Sequence, residues 1–174
     1  MTILGAASVI FPLCVAYAAF SDLFTMTIPN RVSLMLIAAF VLMATLSGFG
    51  PMEFAWHVAA MTAVFAGCLG LFAAGAMGGG DAKLLTAVSL WFGMSVELMS
   101  FLVYTALIGG LLALVLLKLR TPAGLYVLSR VPLTHNLTDS SKGIPYGIAI
   151  AAAALICYPQ TPMMQQALAA MAAG

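Results

Sequence analysis

Two aspartates, Asp22 and Asp81, are the residues of this chain whose chemical type and surroundings could support catalysis. The sequence holds five acidic residues among 174, and Asp81 directly follows the glycines Gly78, Gly79 and Gly80 between two long apolar segments. Ionisable groups at the edge of a membrane span are expensive to keep, so they mark candidate functional sites. Two carboxyl groups that face each other at close range share one proton, because both cannot ionise cheaply.

Such a pair of carboxyl groups can hydrolyse a peptide bond. The ionised group acts as general base on a water molecule, while the protonated group polarises the carbonyl and later supplies a proton for the leaving amine. This is the chemistry of aspartic proteases. Because the two groups titrate as one unit, the sequence leaves open whether Asp22 or Asp81 is the base.

The glycines before Asp81 have two expected roles. Gly78 to Gly80 lack a β-carbon, so they allow backbone conformations closed to other residues and let a substrate backbone approach closely. Asp81 is expected near a helix N-terminus, where the helix dipole favours an anion. Structural alternatives stay open, since Asp22 could be a boundary residue and Asp81 an N-cap. Lys83 could anchor the helix at the interface or tune the local field.

The composition indicates the elements that must position these carboxylates. Hydrophobic residues make up 64% of the chain, charged residues 6%, and the mean hydropathy is +1.14. Average soluble chains are about 25% charged, so we predict an all-α polytopic protein of the lipid bilayer, with residues 1–174 forming a single integral membrane domain. The net charge of +1 excludes a nucleic-acid partner, which requires a basic surface. The three cysteines form no Cys-x-x-Cys pair, so zinc and redox motifs are absent from the sequence.

Six apolar segments are predicted to cross the membrane. They run from about Thr2 to Phe20, Val32 to Leu46, Phe54 to Met77, Ala82 to Phe92, Val96 to Leu117 and Ile144 to Tyr158. The fourth is short and is expected to borrow the preceding glycines. The first lacks the basic start of a cleavable signal peptide, so we expect it to be retained. The apolar residues Met163 to Ala173 are either an interfacial tail or a continuation of the last helix after a kink.

The charges predict the orientation of the six spans. With this span count all basic residues fall on one side of the membrane, and they are Arg31, Lys83, Lys118, Arg120, Arg130 and Lys142. The positive-inside rule makes that side cytoplasmic, so both termini are expected to be periplasmic and residues 118–143 to form a cytoplasmic loop. Asp22 and Asp81 then lie at the same cytoplasmic boundary and can meet. His57 and His135 fall on opposite sides and cannot form one metal site.

Three sequence blocks resemble one known family. Gly78-x-Gly80-Asp81 resembles the GxGD signature of type IV prepilin peptidases, Asp22 followed by Ile28-Pro29-Asn30 resembles their first catalytic segment, and Gly143-Ile144-Pro145-Tyr146-Gly147 resembles the segment that begins their last span. The blocks occur in family order. The size resembles that of minimal, tight-adherence or Flp-type members.

The resemblance implies a function and a location. Asp22 and Asp81 would be the catalytic dyad of an endopeptidase in the bacterial inner membrane that needs no metal or other cofactor. The substrate would be a prepilin or pseudopilin, cut at the cytoplasmic face between its leader and its hydrophobic helix. Larger members carry a Cys-x-x-Cys domain and also methylate the new pilin terminus. That domain is absent from this sequence, so we expect no N-methyltransferase activity.

Other residues of the three blocks are candidates for shaping the site. They are Gly78, Gly80, Lys83, Pro29, Asn30, Pro145, Tyr146 and Gly147. Pro29 and Asn30 could instead simply end one span and start the next, and Tyr146 could be an interfacial tyrosine at a tight helix start.

Two alternative functions belong to other classes of protein. A proton-coupled carrier would also use membrane carboxylates, but it predicts further polar groups at mid-span and an inverted repeat, and the sequence shows neither. A non-catalytic subunit of a pilus or secretion assembly would tolerate the loss of Asp22.

Overall fold

The protein is a bundle of helices. The computed structural model describes residues 8–121 and 143–172, and within these ranges it contains no strand. The helices are α1 (Ile10–Thr25), α2 (Asn30–Leu46), α3 (Pro51–Ala73), α4 (Gly79–Phe92), α5 (Val96–Leu119), α6 (Tyr146–Cys157) and α7 (Pro162–Ala172), with a 3-10 turn at Tyr158–Gln160. The all-α prediction is confirmed.

Helix α4 forms the centre of the bundle. From Leu84 to Phe92 nearly every side chain is buried, because α2, α3 and α6 pack around this helix. Helix α1 packs on α2 and α6, and α5 packs on α6. This arrangement brings the beginning of α4 and the end of α1, which carry Asp81 and Asp22, to the same end of the bundle.

The opposite end of the bundle is closed by aromatic packing. The Trp91 ring lies 4.8 Å from that of Phe11, and the Trp91 indole N–H donates to the carbonyl of Leu36 at 3.1 Å. His57 Nδ1 donates to the carbonyl of Leu90 at 2.7 Å, so the polar His57 side chain has a hydrogen-bond partner. The prediction for His135 lies outside the described residues.

Two of the described helices are long and apolar enough to span a membrane on their own, α3 and α5. The helical segments Tyr146–Gln160 and Pro162–Ala169 meet at a bend of 54°, and the two together make a third span if they are counted as one broken helix. Helices α1 and α2 have 16 and 17 residues, and at 1.5 Å per residue they measure about 25 Å against an apolar core of about 30 Å. The count of six spans therefore stays a prediction.

The surface of α5 supports burial in lipid. Leu107, Leu111, Leu114 and Leu117 recur every three or four residues and are each 61–63% exposed. An apolar stripe of this size is typical of a surface that contacts hydrocarbon rather than water.

Several helix ends differ from the predicted span limits, and α3, for example, runs Pro51–Ala73 where Phe54 to Met77 was predicted. Helix α1 continues past Phe20 to Thr25, and in this last polar turn the Thr25 hydroxyl donates to the Ser21 carbonyl at 2.7 Å. Asp22 is therefore in the last turn of α1. Helix α4 begins at Gly79, so it borrows the glycines as expected.

The final helix, α7, follows the 54° bend, and its Met163 and Ala167 are buried. The segment therefore packs on the bundle beyond the kink. Both predicted alternatives, an interfacial tail and a continuation of the last helix, are compatible with this packing. Most of the predicted cytoplasmic loop, residues 122–142, lies outside the described residues.

Candidate active site

Asp22 is held by the start of helix α6. The backbone N–H of Gly147 donates to Asp22 Oδ2 at 2.7 Å, and Asp22 is only 5% exposed. A β-carbon at position 147 would lie 2.8 Å from the same oxygen and 3.0 Å from Ile28 Cδ1. Glycine at 147 therefore allows the amide to reach the carboxylate.

Asp81 lies in the first turn of α4 and shares a cavity with Asp22. The cavity has a volume of about 830 Å³ and lies at one end of the bundle. Its walls come from the ends of α1, α3 and α5, the turn before α4 and the start of α6, and are Asp22, Met26, Leu71, Gly75, Ala76, Met77, Gly78, Asp81, Arg120, Gly143, Ile144 and Tyr146. The two carboxylates predicted to meet thus border one space.

The two carboxyl groups differ in their surroundings, and both lie beyond the predicted spans. Burial and, to a smaller extent, the charge of Asp22 together raise the pKa of Asp81 from 3.8 to about 7. Burial also raises the pKa of Asp22, but the Gly147 amide opposes this by stabilising the ionised form. A single shared proton is therefore favoured on Asp81.

The N-cap alternative for Asp81 is wrong. Gly78 is the N-cap of α4, and Asp81 is its third residue, with no side-chain cap hydrogen bond at this helix start. The Asp81 carboxylate therefore does not cap α4, and Asp81 borders the cavity.

One of the two expected roles of the glycine run needs correction. Gly78 has φ −70°, and within the described ranges the glycines with positive φ are Gly48, Gly75 and Gly93. In the turn before α4 the residue with the left-handed conformation is Gly75. Gly78 to Gly80 are therefore not needed for unusual backbone angles. Space matters instead at Gly78, where a β-carbon would lie 3.0 Å from Asp81 Oδ2. At Gly80 a β-carbon would make an ordinary contact, 3.5 Å from Ile28 Cβ.

The Ile-Pro-Asn turn supports the site without lining its cavity. Lys83 Nζ donates to Asn30 Oδ1 at 3.0 Å, which ties the start of α4 to the start of α2. Pro29 is the extended N-cap of α2. Pro29 and Asn30 border a separate groove between α1 and α2, and Ile28 packs against both Gly80 and Gly147.

We expect replacement of Lys83 by glutamine to change activity by less than about threefold, since an exposed polar pair contributes little. The amide keeps a donor for Asn30 but removes the charge. Initial rates across pH would check this result. A large loss of activity with a displaced pH profile would instead mean that the Lys83 charge tunes the dyad.

The segment that leads into α6 borders the cavity and is bonded to the end of α5. Pro145 is buried and directly precedes the helix, and Tyr146 borders the cavity. The Arg120 guanidinium donates to the Gly143 carbonyl at 2.9 Å, which joins the end of α5 to this segment.

Four residues around the site were not predicted from the sequence as site residues. They are Ile28, Met26, Gly109 and Arg120. Ile28 contacts two of the site glycines, and Met26 adopts the left-handed conformation with φ 53° at the end of α1. Gly109 receives the Tyr146 ring. The predicted orientation placed Arg120 on the same side of the membrane as the dyad, which could have marked it as a candidate site residue. For Gly109 the sequence indicates only that a small residue in a membrane helix allows close helix packing.

Within residues 8–121 and 143–172 no group of three or more histidine, cysteine or acidic side chains is placed to hold a metal ion. The three cysteines are free and buried, as expected of packing residues.

Comparison with known proteins gives one match. The protein-family model described as the type IV leader peptidase family matches residues 9–114, which is more than half of the chain and includes both Asp22 and Asp81. No curated protein and no solved structure matches.

Proposed function

This chain belongs to the type IV leader peptidase family, and we propose that it is an aspartyl endopeptidase that removes prepilin leaders at the cytoplasmic face of the bacterial inner membrane. The observation that carries the proposal is the shared cavity of Asp22 and Asp81. The two residues lie on different helices, 59 positions apart in the sequence (81 − 22), and packing of the bundle brings them to one end.

The surroundings of each carboxyl group suggest its role. Ionised Asp22, stabilised by the Gly147 amide, takes a proton from water as the water oxygen attacks the peptide carbonyl carbon. Asp81 gives its proton to the carbonyl oxygen. When the intermediate collapses and the C–N bond breaks, Asp22 gives its proton to the leaving amine and Asp81 regains one from the intermediate's hydroxyl. The dyad ends with the single proton with which it began.

The distribution of charge supports a cytoplasmic site. The basic residues of the described ranges lie at the dyad's end of the bundle, and they are Arg31, Lys83, Lys118 and Arg120. Glu53 lies at the opposite end, beside the end of α4. By the positive-inside rule the dyad's end faces the cytoplasm, which with six spans gives periplasmic termini.

The narrow walls near the dyad suit a small residue before the cut. Gly78 and Gly147 contribute no side chain beside the carboxylates. Family substrates usually carry glycine at that position, so we propose prepilins or pseudopilins as substrates. The proposal covers hydrolysis and no methyl transfer.

The test is cleavage of prepilins by purified protein in lipid nanodiscs. We expect a new N-terminus directly after the leader, identified by mass spectrometry. Absence of cleavage for every prepilin encoded beside the protein would contradict the proposal. Proton uptake into liposomes without any pilin would favour the carrier. Normal pilin maturation in a deletion strain that holds no second prepilin peptidase would favour the assembly subunit.

We predict that the cleavage rate falls as the pH rises through about 7. The pKa of Asp81 is raised to about 7, so its proton is present below that pH and lost above it. At acid pH the rate falls again, because protonation of Asp22 removes the base. Arg120 borders the same cavity. Initial rates as a function of pH check this, and an undiminished rate well above pH 7 would contradict Asp81 as the acid.

A further inference from the structure

We propose that Gly109 and Tyr146 form a positioning device that sets the Gly147 amide against Asp22. The inference rests on the proposed function, since it assigns the device to a catalytic Asp22. Gly109 lies in α5, outside the three sequence blocks that indicate the dyad, and neither it nor Tyr146 bonds to a carboxylate.

The contact between the two residues is a ring seated over a glycine. Gly109 is buried in the middle of α5, and a β-carbon added there would overlap the Tyr146 ring, whose Cε2 would be 2.6 Å away. The atoms that would overlap lie at the phenol end of the side chain and include Cζ and the hydroxyl oxygen, so an added β-carbon has to displace the ring. Glycine at 109 therefore leaves the space in α5 that the Tyr146 ring occupies where α5 and α6 pack against each other.

Gly147, the residue after Tyr146, links the position of the Tyr146 ring to Asp22. Tyr146 and Gly147 are the first two residues of α6, and the first N–H groups of a helix have no partner within it. The Gly147 N–H points instead at Asp22 Oδ2, at 2.7 Å. A shift of Tyr146 away from Gly109 moves this donor, since only one peptide unit separates them.

The charged groups that face Asp22 are few in the described part of the chain. Asp81 faces it from α4, and Arg120 borders the same cavity from the end of α5. Ile28 and Gly147 contribute apolar and backbone contacts. The Gly147 N–H is thus the hydrogen-bond donor that distinguishes Asp22 from Asp81.

The chain offers a matched control next to Gly109. Gly110 undergoes the same chemical change when replaced by alanine, but a β-carbon there meets nothing within 4 Å. We expect Gly109→Ala to lower the prepilin cleavage rate about tenfold or more, the effect of weakening a hydrogen bond to a charged group. Gly110→Ala should stay within about twofold, because an exposed position away from the site rarely matters.

A double-mutant cycle tests whether Gly109 acts through the ring. Tyr146→Ala removes the ring and should lower the cleavage rate. In the Tyr146→Ala background, Gly109→Ala should cause little further loss. Additive losses would show that Gly109 acts by another route and would overturn the proposal.

A measurement without substrate separates this proposal from the proposed function. The sequence has three aspartates, so protein labelled with ¹³C at aspartate Cγ gives three carboxyl resonances, which Asp→Asn variants assign. In Gly109→Ala the Asp22 resonance should titrate at higher pH than in the wild type and in Gly110→Ala, because the donor that favours the ionised form is displaced.

The outcomes of the two experiments are distinct. If the wild type cleaves no prepilin but Asp22 still titrates higher in Gly109→Ala, the proposed function fails and the positioning device stands as a structural feature. If Gly109→Ala matches Gly110→Ala in Asp22 titration, with both variants folded as judged by thermal unfolding in detergent, the positioning device is refuted whatever the cleavage result.

Discussion

Replacing either Asp22 or Asp81 by asparagine is expected to lower prepilin cleavage by about a thousandfold or more. Asparagine keeps the size of the side chain but can neither take a proton from water nor supply one to the carbonyl oxygen. Because both carboxyl groups act on one proton, each single replacement should be nearly as damaging as the double replacement. Single-turnover rates with purified protein in nanodiscs measure the loss.

A matched control comes from the far end of the bundle. Glu53→Gln makes the same carboxylate-to-amide change, and the new amide oxygen can still accept from the Gly50 N–H that Glu53 Oε2 binds at 2.9 Å. Its rate should stay near that of the wild type. Cleavage at the wild-type rate by either Asp22→Asn or Asp81→Asn would end the dyad mechanism.

The second large effect is expected from Gly147→Ala, with a loss of activity of about a hundredfold. The added methyl group would lie 2.8 Å from Asp22 Oδ2 and 3.0 Å from Asp22 Cβ, so the carboxylate or the start of α6 has to move. A displacement of about 1 Å can lower a catalytic rate by about a hundredfold. Cleavage rates and thermal unfolding in detergent together measure this effect.

Gly143→Ala is the control for that variant. Gly143 borders the same cavity four residues earlier, yet a β-carbon there meets nothing within 4 Å. We expect a folded protein with near-normal activity. Equal activity of the two variants would show that the Gly147 contact with Asp22 has no catalytic importance.

Helix type and position could be predicted from the sequence in most places. The apolar segments become helices because a chain in lipid must satisfy its backbone hydrogen bonds within each segment, and the predicted start of the fifth span at Val96 is the start of α5. The predicted limits were less accurate where a helix ends in polar residues, as α1 does at Thr25.

The candidate dyad could also be predicted, since Asp22 and Asp81 stand out by their rarity in an apolar chain and by the blocks around them. The predicted role of Gly78 to Gly80 in unusual backbone angles was wrong. Local sequence shows that glycine permits unusual angles, but only the surrounding atoms show that a β-carbon at Gly78 would lie 3.0 Å from Asp81 Oδ2.

By itself the sequence determined a helical membrane chain with two uncommon carboxylates, because hydropathy and charge act along the chain and can be read locally. Tertiary structure decided which atoms meet. The Gly147 amide reaches Asp22 across 125 positions and Lys83 reaches Asn30 across 53. Such contacts depend on how close the helices approach, and an added β-carbon would meet the Tyr146 side chain of α6 at Gly109 and the Asp22 side chain of α1 at Gly147.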